Sequence, residues 1–374
     1  MVSRKKHVIL GDVNFFNKKL VVPCFALMVA AAFCFSFSGK GVPGEIIKVS
    51  SFGKQPTLTV DKANRLHVVF GQGTEIFYTT SADGGVTFST AQRVGQQEKL
   101  ALGVTRGPQI ISTRDYVVIA AADHTGRIMA YRLKSGEKKW SEPVNILKGD
   151  TTAKEGFITL AAGKENEVFA AWLDLRIGRM NNIFSAYSKD GGKSWSESKL
   201  VYASPDGKVC PCCRPSISAD KKGNVYVMFR NDLKGARDLY LAHSKDGGKT
   251  FGPAVKLGTG TWLMDQCPMD GGGVSIDRKG NVGTTWRREN TVYYAEPGKA
   301  EIKIGEGRAP ALVKNSGGNY IAWQQGKDIM ALTPNKLTAE NIGSGIYPRL
   351  AALADDQVIC IWESEGQILG KILR

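Results

Sequence analysis

The most regular feature of the chain is an alternation of apolar and polar residues that recurs in short blocks. The segments LHVVF, VYVMF and VICIW alternate with a period of two and end in an aromatic residue. Such aromatic ends fall at Phe70, Trp172, Phe229, Trp286, Trp323 and Trp362, and a weaker copy, YVVIAAAD, covers 116–123. Period two indicates strands, and no window of 12 or more residues after the N-terminal region has helical periodicity. The pattern predicts an all-β chain of seven units.

Each unit carries four strand-like pieces, as in SISAD, VYVMFR, DLYLAHS and AVKLG of the fourth unit. Four-stranded sheets that recur at such short intervals are typical of a β-propeller. The last unit is one strand short, whereas the segment EIIKVSS at 45–51 stands alone before the first unit. The sequence therefore predicts seven four-stranded blades in a ring closed by the N-terminal strand, which removes a free sheet edge. Six blades are the alternative, if two short C-terminal units merge.

A second repeat consists of three nearly identical turns. SADGGVTF at 81–88 is matched by SKDGGKSW at 188–195 and SKDGGKTF at 244–251, with a decayed copy, LKSGEKKW, at 133–140. In each good copy an Asp can accept backbone hydrogen bonds, two glycines supply positive φ, and a terminal aromatic residue folds back as an apolar plug. The motif predicts a hairpin turn.

The first 38 residues have the pattern of an export signal. Five basic residues precede the uncharged apolar run LVVPCFALMVAAAFCFSF at 20–37, and Ser36 and Ser38 place small residues before a cleavage position at Gly39. An uncleaved membrane anchor is the alternative, because the run is long enough to span a bilayer. Both alternatives place residues 39–374, a single predicted propeller domain, outside the cytoplasm, in the periplasm, at the cell surface or in the medium.

Charge and composition narrow the classes of partner. The formal net charge is +15, of which residues 1–38 carry +4, so +11 remains in the propeller. Lys and Arg are dispersed without a nucleic-acid reading motif, so we expect an anionic glycan or envelope component rather than nucleic acid as partner. No membrane contact is expected beyond the anchor. Four histidines and the lack of a Cys-x-x-Cys-His motif disfavour haem and multi-histidine metal enzymes, so no cofactor is predicted.

The three turns resemble the Asp box, also called the bacterial neuraminidase repeat, of sialidase-like propellers. The resemblance covers essentially residues 43–374 and implies that Asp83, Asp190 and Asp246 are structural, on turns away from an active site. A narrower resemblance joins CPCCRPSISADKKGNVYVMFRND at 210–232 to WLMDQCPMDGGGVSIDRKGNV at 262–282. This narrower resemblance is to exported bacterial propellers that pair Cys-Cys-Arg-Pro with a downstream Cys-Pro.

Arginines recur where an inner strand begins. Each lies within two residues of a proline, and the four are Arg106, Arg214, Arg308 and Arg349. Because the innermost strands of a propeller start around one mouth of its channel, these guanidinium groups can converge on one anion. Each arginine can instead bridge to an Asp of a neighbouring blade or bind a loop carbonyl.

The sequence is compatible with two functions. The resemblance to sialidases implies an exo-acting glycoside hydrolase in which Arg214, Arg308 and Arg349 hold a carboxylate, and Asp265 or Asp270 transfers the proton. However, Lys-Gln-Pro at 54–56 stands where sialidases have Arg-Ile-Pro, and no clear Tyr/Glu pair is present. The alternative is a non-catalytic propeller that recognises a glycan or an envelope protein.

Cysteines cluster in the fourth and fifth units. In an oxidising compartment we expect two disulfides, one joining the loop of Cys210, Cys212 and Cys213 to Cys267 and one closing a small ring within the loop. Cys212 and Cys213 are adjacent and rarely bond to each other, so Cys267 should take one of them. A zinc or copper(I) site is the alternative, although disulfides are favoured and no metal is assigned. Cys360 lies mid-strand, where we expect a buried free thiol.

Overall fold

Seven four-stranded sheets make up the computed structural model, which describes residues 44–373. This confirms the predicted all-β, seven-bladed propeller, and the six-bladed alternative is wrong. The predicted signal or anchor at 1–38 lies outside the described residues. Within them the one helical element is a single 3-10 turn at Ala354–Asp356. No helix in the described part of the chain has the length and apolar character needed to cross a membrane.

The chain forms the blades in order, each as an antiparallel meander that begins with its innermost strand. Blade one contains β2 (Lys54–Val60), β3 (Leu66–Gln72), β4 (Glu75–Ser81) and β5 (Gln92–Gln96). Blade two contains β6 (Gln109–Ser112), β7 (Tyr116–Ala122), β8 (Ile128–Lys134) and β9 (Val144–Asn145). Blade three contains β10 (Ile158–Ala162), β11 (Val168–Asp174), β12 (Asn182–Ser188) and β13 (Lys199–Tyr202). Blade four contains β14 (Ser216–Ala219), β15 (Val225–Arg230), β16 (Leu239–Ser244) and β17 (Val255–Lys256).

The remaining strands complete the ring. Blade five contains β18 (Gly273–Ile276), β19 (Val282–Arg288), β20 (Thr291–Ala295) and β21 (Ile302–Glu306). Blade six contains β22 (Arg308–Asn315), β23 (Gly318–Gln325), β24 (Asp328–Leu332) and β25 (Glu340–Ser344). Blade seven contains β26 (Ile346–Ala352), β27 (Val358–Ser364), β28 (Gln367–Leu373) and the N-terminal β1 (Ile47–Ser50).

The ring closes as the sequence predicts. Strand β1 pairs antiparallel with β28, with Ile47 opposite Gly370 and Lys48 opposite Leu369. The side chain of Val49 is buried in a cluster that also contains residues of blade one. Because the first strand of the chain completes the last blade, β28 does not present an unpaired edge.

Aromatic side chains of the second strands fill the space between neighbouring blades. Trp172 of β11, Trp323 of β23 and Trp362 of β27 are essentially inaccessible to solvent. The indole N–H of Trp323 donates to Glu306 O at 2.8 Å, and that of Trp362 donates to Ser344 O at 3.0 Å. Trp323 and Trp362 thus bond to the fourth strand of the preceding blade, whereas the indole N–H of Trp172 donates to Oδ2 of Asp174 in its own strand at 2.7 Å. In all three the polar atom is satisfied inside an apolar interface.

The inner strands all start at the same end of the channel. The Thr57 hydroxyl of β2 donates to Pro108 O, just before β6. Two residues further along β2, Oγ1 of Thr59 accepts the backbone N–H of Ser112, at the end of β6, at 3.2 Å. The starts of neighbouring inner strands therefore lie side by side, and so do their ends. We call the end where the inner strands begin the upper mouth and the other the lower mouth. The lower mouth is lined by Val60, Ser112, Ala162, Ala219 and Ile276, each at the end of an inner strand.

The three Asp turns lie between the third and fourth strands of blades one, three and four. In the last of them, the Asp246 carboxylate accepts the Thr250 N–H at 3.0 Å and the Thr250 hydroxyl at 2.6 Å. Asp83 and Asp190 make the equivalent bonds to Thr87 and Ser194. These bonds stay within each turn. The turns connect the third and fourth strands, which are the two outermost strands of a blade.

Candidate functional site

Three of the seven inner strands begin at the upper mouth with a local irregularity. In β2, β22 and β26 the ladder slips between residue pairs Lys54/Thr57, Arg308/Ala311 and Ile346/Arg349. The residue before the proline in each has a positive φ, which is 53° at Gln55, 51° at Ala309 and 56° at Tyr347. Non-glycine residues seldom adopt this conformation, and an extra residue in a strand re-aims its neighbours. In these three strands the irregularity lies beside the polar residues Gln55, Arg308 and Arg349.

Arg214 and Gln109 form the clearest contact at this mouth. Arg214 precedes β14 of blade four, and its Nη1 donates to Oε1 of Gln109, in blade two, at 2.7 Å. The Gln109 amide is oriented by its own donor bonds to Gly107 O and Pro108 O. Since blade three separates the two residues in the ring, the Arg214 side chain extends along the mouth and is only partly exposed.

Two further arginines face the same space. Burial lowers the pKa of Arg214, and repulsion from Arg349, in blade seven, lowers it further. Burial also lowers the pKa of Arg349, to about 10, so its guanidinium stays charged at neutral pH. Arg308, in blade six, donates from Nη2 to Met269 O at 3.3 Å. Tyr347 lies close enough to Arg308 and Arg349 for both to lower its pKa, although burial raises it more.

These arginines have unmet donor groups. Arg214, Arg308 and Arg349 form no ion pair with any carboxylate of the described residues, and their hydrogen bonds go to an amide or to carbonyls. The Nε atoms of Arg308 and Arg349 are buried without a hydrogen-bond partner. A buried donor without an acceptor is unfavourable, and like charges gathered together repel. The mouth is therefore electrostatically suited to an anion.

Asp270 and Asp265 have very different environments. Asp270 is fully buried, and its Oδ2 accepts the Ala309 N–H at 2.9 Å and lies 3.6 Å from Nη1 of Arg287. Burial raises the pKa of Asp270, against the effect of neighbouring arginines. Asp265 is exposed and forms no hydrogen bond or ion pair with a described residue. Of the two candidate acids, only Asp270 is in the immediate neighbourhood of the arginines.

Arg106 lies at the start of blade two but is held by blade three. Its Nε donates to Glu155 O at 2.7 Å, and its guanidinium carbon is 4.2 Å from the centre of the Phe157 ring. Cys212 and Cys267 also lie near enough to influence its pKa, which burial lowers. The structure thus brings Arg214, Arg308 and Arg349 together, and engages Arg106 in a contact between blades.

The cysteine loop lies between β13 and β14, directly before Arg214. Cys210, Cys212 and Cys213 are buried, with Sγ separations of 3.5, 3.5 and 3.9 Å, whereas Cys267 is exposed. No disulfide forms among residues 44–373. Neither the predicted link from the loop to Cys267 nor the predicted ring within the loop is therefore present. Three sulfur atoms instead share one buried space, where hydrogen bonds with Cys212 and Cys213 lower the pKa of Cys210. Cys360 is a buried free thiol in β27, as expected.

Three polar residues of the site were missed from the sequence. Gln109 binds Arg214, Tyr347 lies among the arginines, and Oε2 of Glu363 accepts the Gln55 N–H at 2.9 Å while its charge acts on Tyr347. Alignment of the inner strands on their prolines identifies two of them. Tyr347 precedes its proline as Arg214 does, and Gln109 follows its proline as Arg349 does.

No protein-family model matches the sequence, and no curated protein sequence matches it. Solved structures do resemble the fold. The lectin BP39L from Burkholderia pseudomallei gives a TM-score of 0.64 at 11% identity, over 86% of this chain and 96% of the lectin. A PL25 ulvan lyase bound to -[GlcA(1-4)Rha3S]- gives 0.55 at 10% identity, over 87% and 94%. An α-L-arabinanase from Penicillium chrysogenum complexed with arabinobiose gives 0.53 at 10% identity, over 89% and 98%.

These likenesses show the β-propeller fold. At identities of 10–11% they do not transfer an activity or a set of residues to this chain. The narrower identification as a sialidase-like propeller with Asp boxes stays a prediction from the sequence.

Proposed function

We propose that the protein binds an acidic carbohydrate at the upper mouth of its propeller. The observation that carries this proposal is the convergence of Arg214, Arg308 and Arg349 without a carboxylate partner. A guanidinium group offers a planar pair of donors that matches a carboxylate or a sulfate. An acidic sugar in the mouth supplies both the missing acceptors and the opposite charge.

Two further observations support a sugar rather than a small inorganic anion. The three arginines come from blades four, six and seven, so they surround a space wider than a single contact. Among the proteins that share the fold, one is a lectin, the arabinanase is complexed with arabinobiose, and the polysaccharide lyase is bound to a unit written with GlcA. The export signal predicted at 1–38 is consistent with a ligand outside the cytoplasm, so we propose an extracytoplasmic location.

Hydrolysis of the bound sugar is a second candidate function, favoured by Tyr347. This phenol lies among Arg308, Arg349, Glu363 and Asp270, all of which influence its pKa. A Tyr next to a Glu and several arginines matches the sialidase scheme that the sequence resemblance implies. Buried Asp270, whose pKa is raised, is the group with acid character in this set.

Binding can be tested by calorimetry with glucuronic acid and N-acetylneuraminic acid, with glucose as the neutral comparison. Arg214→Ala should weaken binding of the acidic sugars by about 1.5–3 kcal/mol, the range of a charge-assisted hydrogen bond. Arg278→Ala is the matched control, because it removes the same charge from the lower mouth. Equal losses in both variants would mean that only the overall charge attracts the sugar, and would reject the proposed site.

Catalysis needs a separate measurement. A fluorogenic sialoside or glucuronide should be turned over by the wild-type protein and not by Tyr347→Phe, which keeps the ring and removes the hydroxyl. Binding of the intact sugar should survive in Tyr347→Phe. If the wild-type protein binds the acidic sugar but releases no fluorophore, the non-catalytic function is correct.

A further inference from the structure

We propose that Cys210, Cys212 and Cys213 form a three-coordinate binding site for copper(I). The three residues make up a cluster of their own in the core, separate from the apolar clusters between the blades. Cys210 is inaccessible to solvent, Cys213 is 1% exposed and Cys212 is 8% exposed. This site lies outside the arginine mouth and does not depend on the function proposed for it.

The backbone of the loop explains why the sulfur atoms meet. The Cys210 N–H donates to Arg230 O at 3.1 Å, which attaches the loop to the last residue of β15. Pro211 then fixes φ in a turn over 211–213, and Pro215 restricts the chain before β14. The loop is therefore attached at both ends, and its cysteine side chains converge in the loop interior.

The distances suit one metal ion. A metal bonded to three thiolates at about 2.3 Å in a plane requires sulfur separations of about 4.0 Å. The observed separations of 3.5, 3.5 and 3.9 Å are within a few tenths of an ångström of this arrangement. Only small side-chain movements are therefore needed to admit the ion.

The donor set distinguishes copper(I) from zinc. Among the described residues, no histidine or carboxylate joins the three thiols within ligand range. Thiolates bind both metals, but structural zinc sites are almost always tetrahedral with four protein ligands, whereas copper(I) is stable with three. Among the cysteines of residues 44–373, exposed Cys267 is the other one near this region, since both it and Cys212 influence Arg106.

The surroundings supply the counter-charge. Three thiolates with one copper(I) carry a net charge of −2, and two arginines are close to the sulfur atoms. Arg230 lies near Cys210 and Cys213, and Arg106 lies near Cys212. Arg230 is itself buried and donates to Asp270 O and Arg287 O, which leaves its charge without a direct carboxylate partner. Such a second shell of charges stabilises a buried metal–thiolate group.

The test uses protein purified from an exporting host, reduced and handled without oxygen. Copper(I) is delivered from a competing chromogenic chelator, and zinc(II) is titrated separately. One copper(I) should bind per molecule, with X-ray absorption showing three sulfur neighbours at about 2.3 Å. Cys212→Ser should lose this stoichiometric copper, whereas Cys360→Ser, a buried thiol of β27, should keep it.

Cys267→Ser separates the two metals. Copper(I) bound by three sulfur atoms should persist in this variant. Tight zinc(II) binding with four sulfur neighbours that disappears in Cys267→Ser would overturn the proposal, as would a disulfide within the loop that reduction does not open. If Cys212→Ser does not fold, the absorption spectrum of the wild-type protein still decides, because fewer than three sulfur neighbours contradicts the site.

Discussion

The Arg214 guanidinium donates to the Gln109 side chain at 2.7 Å, and this bond joins blade four to blade two across the upper mouth. Gln109 presents an uncharged oxygen at the place where a carboxylate would form an ion pair. The Gln109 amide thus positions Arg214 without neutralising it. This relationship makes Gln109 a sensitive position for testing the anion site.

Gln109→Glu should act as a built-in competitor of the ligand. A carboxylate at this position would pair with Arg214, so the affinity for glucuronic acid should fall by about tenfold, or about 1.4 kcal/mol. Gln109→Ala removes the acceptor without adding charge, and should leave the affinity equal or higher. Calorimetry on both variants checks this, and an unchanged affinity in Gln109→Glu would place the ligand elsewhere.

Gly305 should be intolerant of a side chain because of Trp323. A Cβ added to Gly305 would lie 2.6 Å from Cζ2 of this tryptophan, which is buried between blades five and six. Gly305→Ala should therefore lower the free energy of unfolding by about 1–3 kcal/mol, the usual cost of overpacking. Gly252→Ala is the control, because its nearest contact would be an ordinary 3.7 Å. Equal denaturation midpoints for the two variants would contradict this packing.

The fold was predictable because its signals are local and repeated. Period-two alternation that ends at Phe70, Trp172 or Trp362 predicts each strand from its own residues. The unpaired segment at 45–51 predicted the closure of the ring. The positions of the inner-strand arginines followed from the same repeat. Their contacts did not, because Arg106 contacts the adjacent blade three, whereas Arg214 extends past blade three to Gln109 of blade two.

The parts that could not be predicted depend on contacts between distant segments. Gln109 and Arg214 are 105 residues apart, and only the closed ring places their side chains together. The disulfide prediction relied on the number of cysteines and on the compartment. In the structure, the turn at 211–213 instead brings the sulfur atoms of Cys210, Cys212 and Cys213 together. Cys267 lies outside this group and is exposed.

The turn of Asp246 should make stability depend on pH. Bonds from the Thr250 hydroxyl and N–H lower the pKa of Asp246 in the folded state below its unfolded value. A lowered pKa contributes stability that is present above about pH 4 and is lost as the pH falls toward the folded-state pKa. Asp246→Asn should therefore be less stable than wild type at pH 7, with a difference that shrinks by pH 3. Denaturation at several pH values measures this.

Glu137→Gln provides the comparison for that series. Glu137 is exposed in the equivalent turn of blade two, and its side chain forms no hydrogen bond or ion pair within residues 44–373. Its replacement should change stability little at any pH. A difference between Asp246→Asn and wild type that stays constant from pH 7 to pH 3 would show that the charge of Asp246 is not responsible.

Asp270→Asn should weaken the fold and strengthen anion binding at the same time. The carboxylate is fully buried, accepts the Ala309 N–H and lies near Arg230, Arg287 and Arg308. Its loss removes the pairing charge of Arg287 and the negative charge nearest Arg230 and Arg308, which should lower the free energy of unfolding by about 3 kcal/mol. An anionic sugar then supplies the missing charge, so glucuronic acid should raise the melting temperature of Asp270→Asn more than that of wild type. Asp265→Asn, an exposed change in the same loop, should alter neither quantity. Equal stabilisation of Asp270→Asn and wild type by the sugar would show that the arginine mouth and the buried carboxylate act independently.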